Sequence, residues 1–123
     1  MKPETIANFM LKFPETTEEQ PFRPSVDVYK VAGKMFAILS PEESPAQISL
    51  KCDPALALEL RAEYAAVIPG YHLNKAHWNT IILDGSIRDR DLRKMIAHSY
   101  ECVVSGLPKT LRASISERPW PTA

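Results

Sequence analysis

The chain has few cysteines and glycines, no long apolar run and no excess of charge of either sign. Its two cysteines, Cys52 and Cys102, form neither a Cys-x-x-Cys pair nor a zinc-binding pattern with histidine. Both are predicted to be small buried side chains, and a disulfide between them remains the alternative. The four glycines form neither a phosphate-binding loop nor a Gly-x-Ser-x-Gly turn. We therefore predict no catalytic constellation and no cofactor.

The sequence has neither a membrane-spanning pattern nor a charge bias, which argues against a membrane protein and against a strongly basic nucleic-acid-binding protein. No apolar run approaches the roughly 20 residues of a transmembrane helix, and no apolar leader follows Met1, so we expect a cytoplasmic protein without membrane contact. The 15 basic residues equal the 15 acidic ones, so nucleic acid could bind only through a local basic patch. The length of 123 residues and the 45% of apolar residues are typical of one globular domain.

The first half of the chain combines one helical pattern with several extended ones. Apolar residues at spacings of three and four predict an amphipathic helix that ends at Pro14: Ile6, Phe9, Met10 and Phe13. The acidic segment 15–21 is predicted to be a loop. Residues 26–39 predict a β-hairpin with its turn at Ala32-Gly33, and residues 48–52 predict a half-buried strand.

The second half adds two helices and a second hairpin. Asp53-Pro54 predicts a helix start, because aspartate accepts hydrogen bonds from the first-turn amides and proline fits the first helical position. Segments 67–73 and 78–83 predict two strands joined by the tip Asn74–His77. The longest helix is predicted from about Arg88 to Val104.

This order of elements predicts an α+β fold. Too few crossover helices are present for a parallel sheet, so we expect an antiparallel sheet with helices packed on one face. One domain would cover residues 1–109, and residues 110–123 would be a loosely held tail. The opposite sheet face and the two hairpin tips would then be free to meet a partner.

Several segments resemble the MmcQ/YjbR family in their order and spacing. They are Gly33–Ala37, Ser49–Cys52, Pro69–Trp78 and Ser99–Glu101. The resemblance extends to about Lys109, and the run Gly-Tyr-His-Leu-Asn-Lys-x-His-Trp is long enough to be specific. It implies a fold similar to that of the frataxin and CyaY group and a predicted double-wing DNA-binding motif. The sequence departs from the family pattern at Arg88, where a proline often begins the last helix, which should alter a helix cap.

A double wing would use the two hairpin tips, and basic or polar residues occur at both. The candidate nucleic-acid-binding residues flank the first turn, form the second tip or open the last helix: Lys30, Lys34, Asn74, Lys75, His77, Arg88, Arg90, Arg93 and Lys94. If they converge in space, they could contact several phosphates. In the alternative interpretation, the lysines discourage aggregation of the sheet edges and the charges of Arg88–Asp91 screen one another.

A groove beside Tyr71, His72 and Trp78 is the alternative site, which would bind another protein or a small ligand. It predicts salt-tolerant binding and an exposed apolar patch. We therefore expect a non-enzymatic binding module, a monomer or weak dimer, with DNA or another protein as its partner.

Two histidine patterns invite a metal-binding or catalytic interpretation. His72 and His77 lack a third ligand at a metal-binding spacing, so no metal site is predicted. His98 and Cys102 lie one helical turn apart and could form a catalytic pair, but no third group that would orient them is visible. An enzyme of this kind would need a reactive thiol at Cys102.

Overall fold

The computed structural model describes residues 1–122 as a six-stranded antiparallel sheet with four helices. Along the chain the elements are α1 (Pro3–Leu11), β1 (Thr16–Glu19), β2 (Asp27–Val31), β3 (Lys34–Ser40), β4 (Gln47–Lys51), α2 (Pro54–Glu63), β5 (Val67–Pro69), β6 (Trp78–Ile82), α3 (Asp89–Ser105) and α4 (Lys109–Ser116). The strand order is β1-β2-β3-β4-β6-β5, so β1 and β5 are the edges. The predicted α+β fold is confirmed.

The helices cover one face of this sheet. Helix α3 packs on β2, β3 and β4, α2 packs on β5 and β6, and α4 packs on α3. The apolar stripe predicted for α3 is buried as expected: Leu92, Met95, Ile96, Ser99 and Val103. It joins a single core with the buried residues of α1, of which Ile6 and Met10 have no exposed surface. No helix within residues 1–122 has the length and apolar character required to cross a bilayer.

The first predicted hairpin forms with its turn at Ala32-Gly33. Both turn residues have positive φ, 49° and 80°, which gives the turn a twist that matches the flanking strands. Tyr29 pairs with Ala37 while Lys30 pairs with Met35, so Phe36 is an extra residue in β3 and makes a bulge. The Phe36 ring lies edge-on to Tyr100 of α3 at 5.4 Å, which places the bulge against the core.

The helix after Asp53 and the second hairpin also form, but the first strand of this hairpin ends at Pro69 and not at Leu73 as predicted. The Asp53 carboxylate accepts hydrogen bonds from the amides of Ala55 and Leu56 at 3.1 and 3.2 Å and so caps α2. Strand β5 is only three residues long and pairs with β6 at the sheet edge. Residues 70–77 connect the two strands.

The acidic segment 15–21, predicted to be a loop, instead contains edge strand β1. Its backbone pairs with β2, from Thr16 opposite Val31 to Glu19 opposite Val28. The side chains of this strand are largely exposed, so the segment lacks the apolar alternation that reveals a half-buried strand. Glu18 accepts a hydrogen bond from the Tyr29 hydroxyl at 2.6 Å.

The segment after Lys109, predicted to be loosely held, instead begins with helix α4. Ile115 is fully buried, and the ring of Trp120 lies edge-on to Tyr100 at 4.7 Å. A few apolar residues therefore anchor a segment whose serine, arginine and proline content is typical of a solvated tail. Ala123, part of the same prediction, lies outside the described residues.

Candidate nucleic-acid interface

Both hairpin tips lie at the same end of the sheet. The turn at Ala32-Gly33 joins β2 to β3, and residues 70–77 join β5 to β6. Lys51, the last residue of β4, pairs with Trp78, the first residue of β6. The end of the sheet where β3 begins is therefore also the end where β6 begins. Three strand spacings separate the tips, or roughly 14 Å at about 4.8 Å per spacing.

The cations that open α3 lie at the opposite end of the sheet. The Ser99 hydroxyl donates to Phe36 O at 2.5 Å and accepts from Lys51 N at 2.9 Å, so Ser99 sits at the end that carries the tips. A helix rises about 1.5 Å per residue, which puts Asp89 about 15 Å away. The nine candidate residues therefore do not form one cluster: Lys30, Lys34, Asn74, Lys75 and His77 lie at the tips, Arg88 and Arg90 at the far end, and Arg93 and Lys94 between them along α3.

The lysines near the tips differ in their charge partners. Lys30 Nζ lies 3.3 Å from the Glu19 carboxylate, and this ion pair reduces its positive field. Within residues 1–122, Lys34 and Lys75 have no carboxylate at ion-pair distance. Lys75 Nζ donates a 3.3 Å hydrogen bond to Gly70 O within its own loop. Of the three candidate lysines at the tips, Lys34 and Lys75 are therefore the two without a carboxylate partner.

The sheet face without helices contains a groove of about 370 Å³. Two segments form its walls, residues 22–26 before β2 and residues 71–73 after β5, and Ile38 and Ser49 lie between them. Phe22 and Tyr71 stand on these walls with 67% and 69% of their surface exposed. We name this region the free-face groove.

The predicted groove residues lie only partly in the free-face groove. Tyr71 and His72 line it, with their rings 4.0 Å apart. Trp78 is only 8% exposed and does not line it. The interpretation of Trp78 as part of the ligand groove is therefore wrong, because β6 packs this side chain beneath the loop.

Close backbone contact seats the 70–77 loop on β6. Gly70 N donates to Trp78 O at 2.9 Å, and Tyr71 N donates to the Thr80 hydroxyl at 3.1 Å. A Cβ atom on Gly70 would lie 2.7 Å from Trp78 Cβ, closer than side chains tolerate. The glycine of the Pro-Gly-Tyr-His segment is thus required for close approach and not for a turn conformation.

Arg61 of α2, which the sequence analysis did not single out, holds the same loop from the other side. Its Nε donates to Asn79 Oδ1 at 2.7 Å, and its Nη2 donates to Trp78 O at 3.3 Å and to Lys75 O. The sequence feature that could have indicated this contact is Asn79. It is a polar residue in an apolar strand, and a buried polar side chain needs a hydrogen-bond partner.

The His98–Cys102 pair forms as its helical spacing predicted. Cys102 Sγ lies 3.3 Å from His98 Nε2, which also accepts a 3.1 Å hydrogen bond from the amide of Asp53. Burial raises the pKa of Cys102 above its ordinary value, and burial raises the pKa of Cys52 to about 11. Both cysteines are free thiols that stay protonated at neutral pH, which makes them weak nucleophiles.

Within residues 1–122, no three or more His, Cys, Asp or Glu side chains lie close enough together to hold a metal ion.

These features define a class of α+β domain with a one-sided antiparallel sheet, two hairpin tips at one end and a groove on the free face. The chain belongs to the YjbR family, whose family model matches residues 11–102. It is 37% identical over 106 residues to the uncharacterized protein YbdF of Escherichia coli O157:H7, with 86% of this chain and 87% of the relative covered. It is 41% identical over 83 residues to the uncharacterized protein YjbR of Escherichia coli K12, covering 68% and 70%.

Solved structures share the same architecture. The crystal structure of Deinococcus radiodurans protein DR2400, a DUF419 domain, superposes with a TM-score of 0.87 at 30% identity and covers 99% of this chain and 91% of that one. A Pseudomonas syringae protein superposes with a TM-score of 0.73 at 26% identity, covering 83% and 98%. The names of these proteins state no activity.

Proposed function

We propose that this chain is a non-enzymatic module that binds single-stranded DNA through its two hairpin tips and the free-face groove. The observation that carries the proposal is that Lys34 and Lys75 lie at one end of the sheet, and that residues 71–73 of the Lys75 loop form one wall of the groove on the free face. Both lysines lack carboxylate partners within residues 1–122, and Phe22 and Tyr71 are exposed beside the groove. This is the arrangement that a double-wing protein would use.

Two kinds of contact support a single strand over a duplex. Lysine side chains bind phosphates and release counterions, which gives affinity without sequence preference. Exposed aromatic rings stack on unpaired bases, each stack contributing about 1–3 kcal/mol, whereas the bases of a duplex already stack on one another. The far-end cations Arg88 and Arg90 take no part.

The experiment measures fluorescence anisotropy of a labelled single-stranded oligonucleotide of about 12 nucleotides, with the duplex as comparison. If two or three phosphates are contacted, the affinity falls roughly tenfold between about 50 and 200 mM salt. The double variant Lys34→Glu/Lys75→Glu should abolish the low-salt signal. Arg88→Glu/Arg90→Glu changes the net charge equally at the opposite end and should bind as the unmodified protein does.

The aromatic contribution is tested separately. Tyr71→Ala should weaken binding by roughly five- to a hundredfold, whereas Tyr71→Phe should retain it because the ring remains. Equal losses from the two charge reversals would mean a non-specific response to net charge and would sink the proposal. Salt-insensitive binding of another protein or a small ligand to the free-face groove would favour the rival interpretation.

A further inference from the structure

A second concave site lies on the helix side of the sheet. It is a cleft of about 190 Å³ bounded by α2, α3 and the strands beneath them. Helix α2 packs on β5 and β6, while α3 packs on β2, β3 and β4, and the cleft opens between the two helices where β4 and β6 lie side by side. We name this space the interhelical cleft.

The interior of the interhelical cleft is apolar. Side chains from both helices and three strands line it: Leu50, Leu56, Leu60, Val67, Ile81 and Met95. An apolar cavity of about 150 Å³ in another protein stays dry and accepts benzene. The interhelical cleft is therefore large enough for one apolar side chain the size of leucine or phenylalanine.

Charged groups of both signs line the same cleft. Asp91 and Lys94 are three residues apart on α3, where side chains are neighbours. Within residues 1–122 neither makes an ion pair. The nearest polar partner of Asp91 is the Tyr64 hydroxyl, at a long 3.5 Å. A ligand with one positive and one negative group would find a partner for each.

His98 adds a hydrogen-bond donor one turn beyond Lys94. Its Nε2 accepts the amide proton of Asp53 at 3.1 Å, so the ring nitrogen left to donate to a ligand is Nδ1. The side chain lines the interhelical cleft. Lys94 and His98 can therefore both donate to one carboxylate, while Asp91 accepts from an ammonium group.

We propose that the interhelical cleft binds a free α-amino acid with an apolar side chain. The side chain enters between α2 and α3, the carboxylate meets Lys94 and His98, and the ammonium group meets Asp91. This site is separate from the proposed DNA surface, and the failure of either proposal leaves the other untouched.

The test uses the full chain with ¹³C-labelled methionine methyl groups. L-leucine or L-phenylalanine is added stepwise, and the NMR resonance of the Met95 methyl group is followed. Saturable shifts of this methyl group are expected. The matched acid without the amine, 3-phenylpropanoate, and the matched amine without the carboxylate, phenethylamine, should each bind about 10- to 100-fold more weakly, since each loses one charge-assisted interaction.

Variants separate the site from general effects on the fold. Lys94→Ala and Asp91→Asn should each weaken phenylalanine binding about 10- to 100-fold. Arg90→Ala and Glu101→Gln, exposed on the same helix outside the cleft, should not. Leu56→Trp should fill the cleft and block binding without lowering the melting temperature. No shift of Met95 up to the solubility limit of the amino acids, or binding of the acid or the amine as tight as that of phenylalanine, would overturn the proposal.

Discussion

Gly70→Ala tests whether the hairpin beside the proposed DNA surface depends on close backbone approach. The added methyl group would lie 2.7 Å from Trp78 Cβ and 2.9 Å from Trp78 O. Overpacking of this kind costs about 1–3 kcal/mol. If the loop retreats to relieve it, the 2.9 Å hydrogen bond from Gly70 N to Trp78 O weakens, at a cost of about 1 kcal/mol.

The net change in the free energy of unfolding also depends on the effect of the substitution on the unfolded chain. Replacing glycine by alanine stabilises by about 0.4–1 kcal/mol, because the unfolded state loses conformational freedom. The expected decrease in the free energy of unfolding is therefore about 1–3 kcal/mol, a large share of the about 5–15 kcal/mol typical of a domain.

Urea denaturation followed by tryptophan fluorescence measures this loss, since Trp78 lies at the contact. Gly106→Ala is the matched control, because its Cβ would be 3.6 Å from the nearest atom, an ordinary contact distance. It should be neutral or slightly stabilising. A Gly70→Ala protein within about 0.5 kcal/mol of Gly106→Ala would refute the reasoning, since distant surface changes alone have effects of that size.

Three further substitutions and one pH dependence follow from the same structure. Ser99→Ala should cost about 1–3 kcal/mol in urea denaturation, because Phe36 O and Lys51 N both lose a partner, whereas exposed Ser105→Ala should cost under about 0.5. Ala32→Asn should stabilise by about 1 kcal/mol, because asparagine tolerates the positive φ of this turn; an unchanged or lower melting temperature would contradict this. Because burial raises the pKa of Cys52 from 9.0 to about 11, the unfolded chain releases its thiol proton first, so the contribution of this thiol to stability should be constant below about pH 8 and decline between pH 9 and 11. Cys52→Ala should make the alkaline loss of stability smaller, and iodoacetamide should alkylate the folded protein more slowly than the unfolded one.

The elements with an apolar period were predictable from the sequence, and those without one were not. Asp53-Pro54 marks the start of α2 through local chemistry, and the stripe of α3 follows its 3.6-residue period. Strand β1 has exposed polar side chains and forms because β2 offers an unpaired edge, which no local pattern reveals. Helix α4 is held by Ile115 in a core assembled from distant segments.

The candidate site shows the same division between local and long-range information. The tip residues follow from recognising two hairpins. Whether Arg88 and Lys75 share a surface depends on the strand order and on the end of the sheet at which α3 begins, and both are properties of the whole fold. Arg61 was missed because an arginine on a helix is typical of a solvated charge until its partner Asn79 is known.

The two outer strands limit how copies of this domain can associate. Strand β1 presents Glu18 and Glu19, so a second copy that added its own β1 would bring like charges together. Strand β5 is only three residues long and ends in Pro69, which has no N–H to offer a new neighbour. Continuous growth of the sheet from molecule to molecule is thereby disfavoured at both edges.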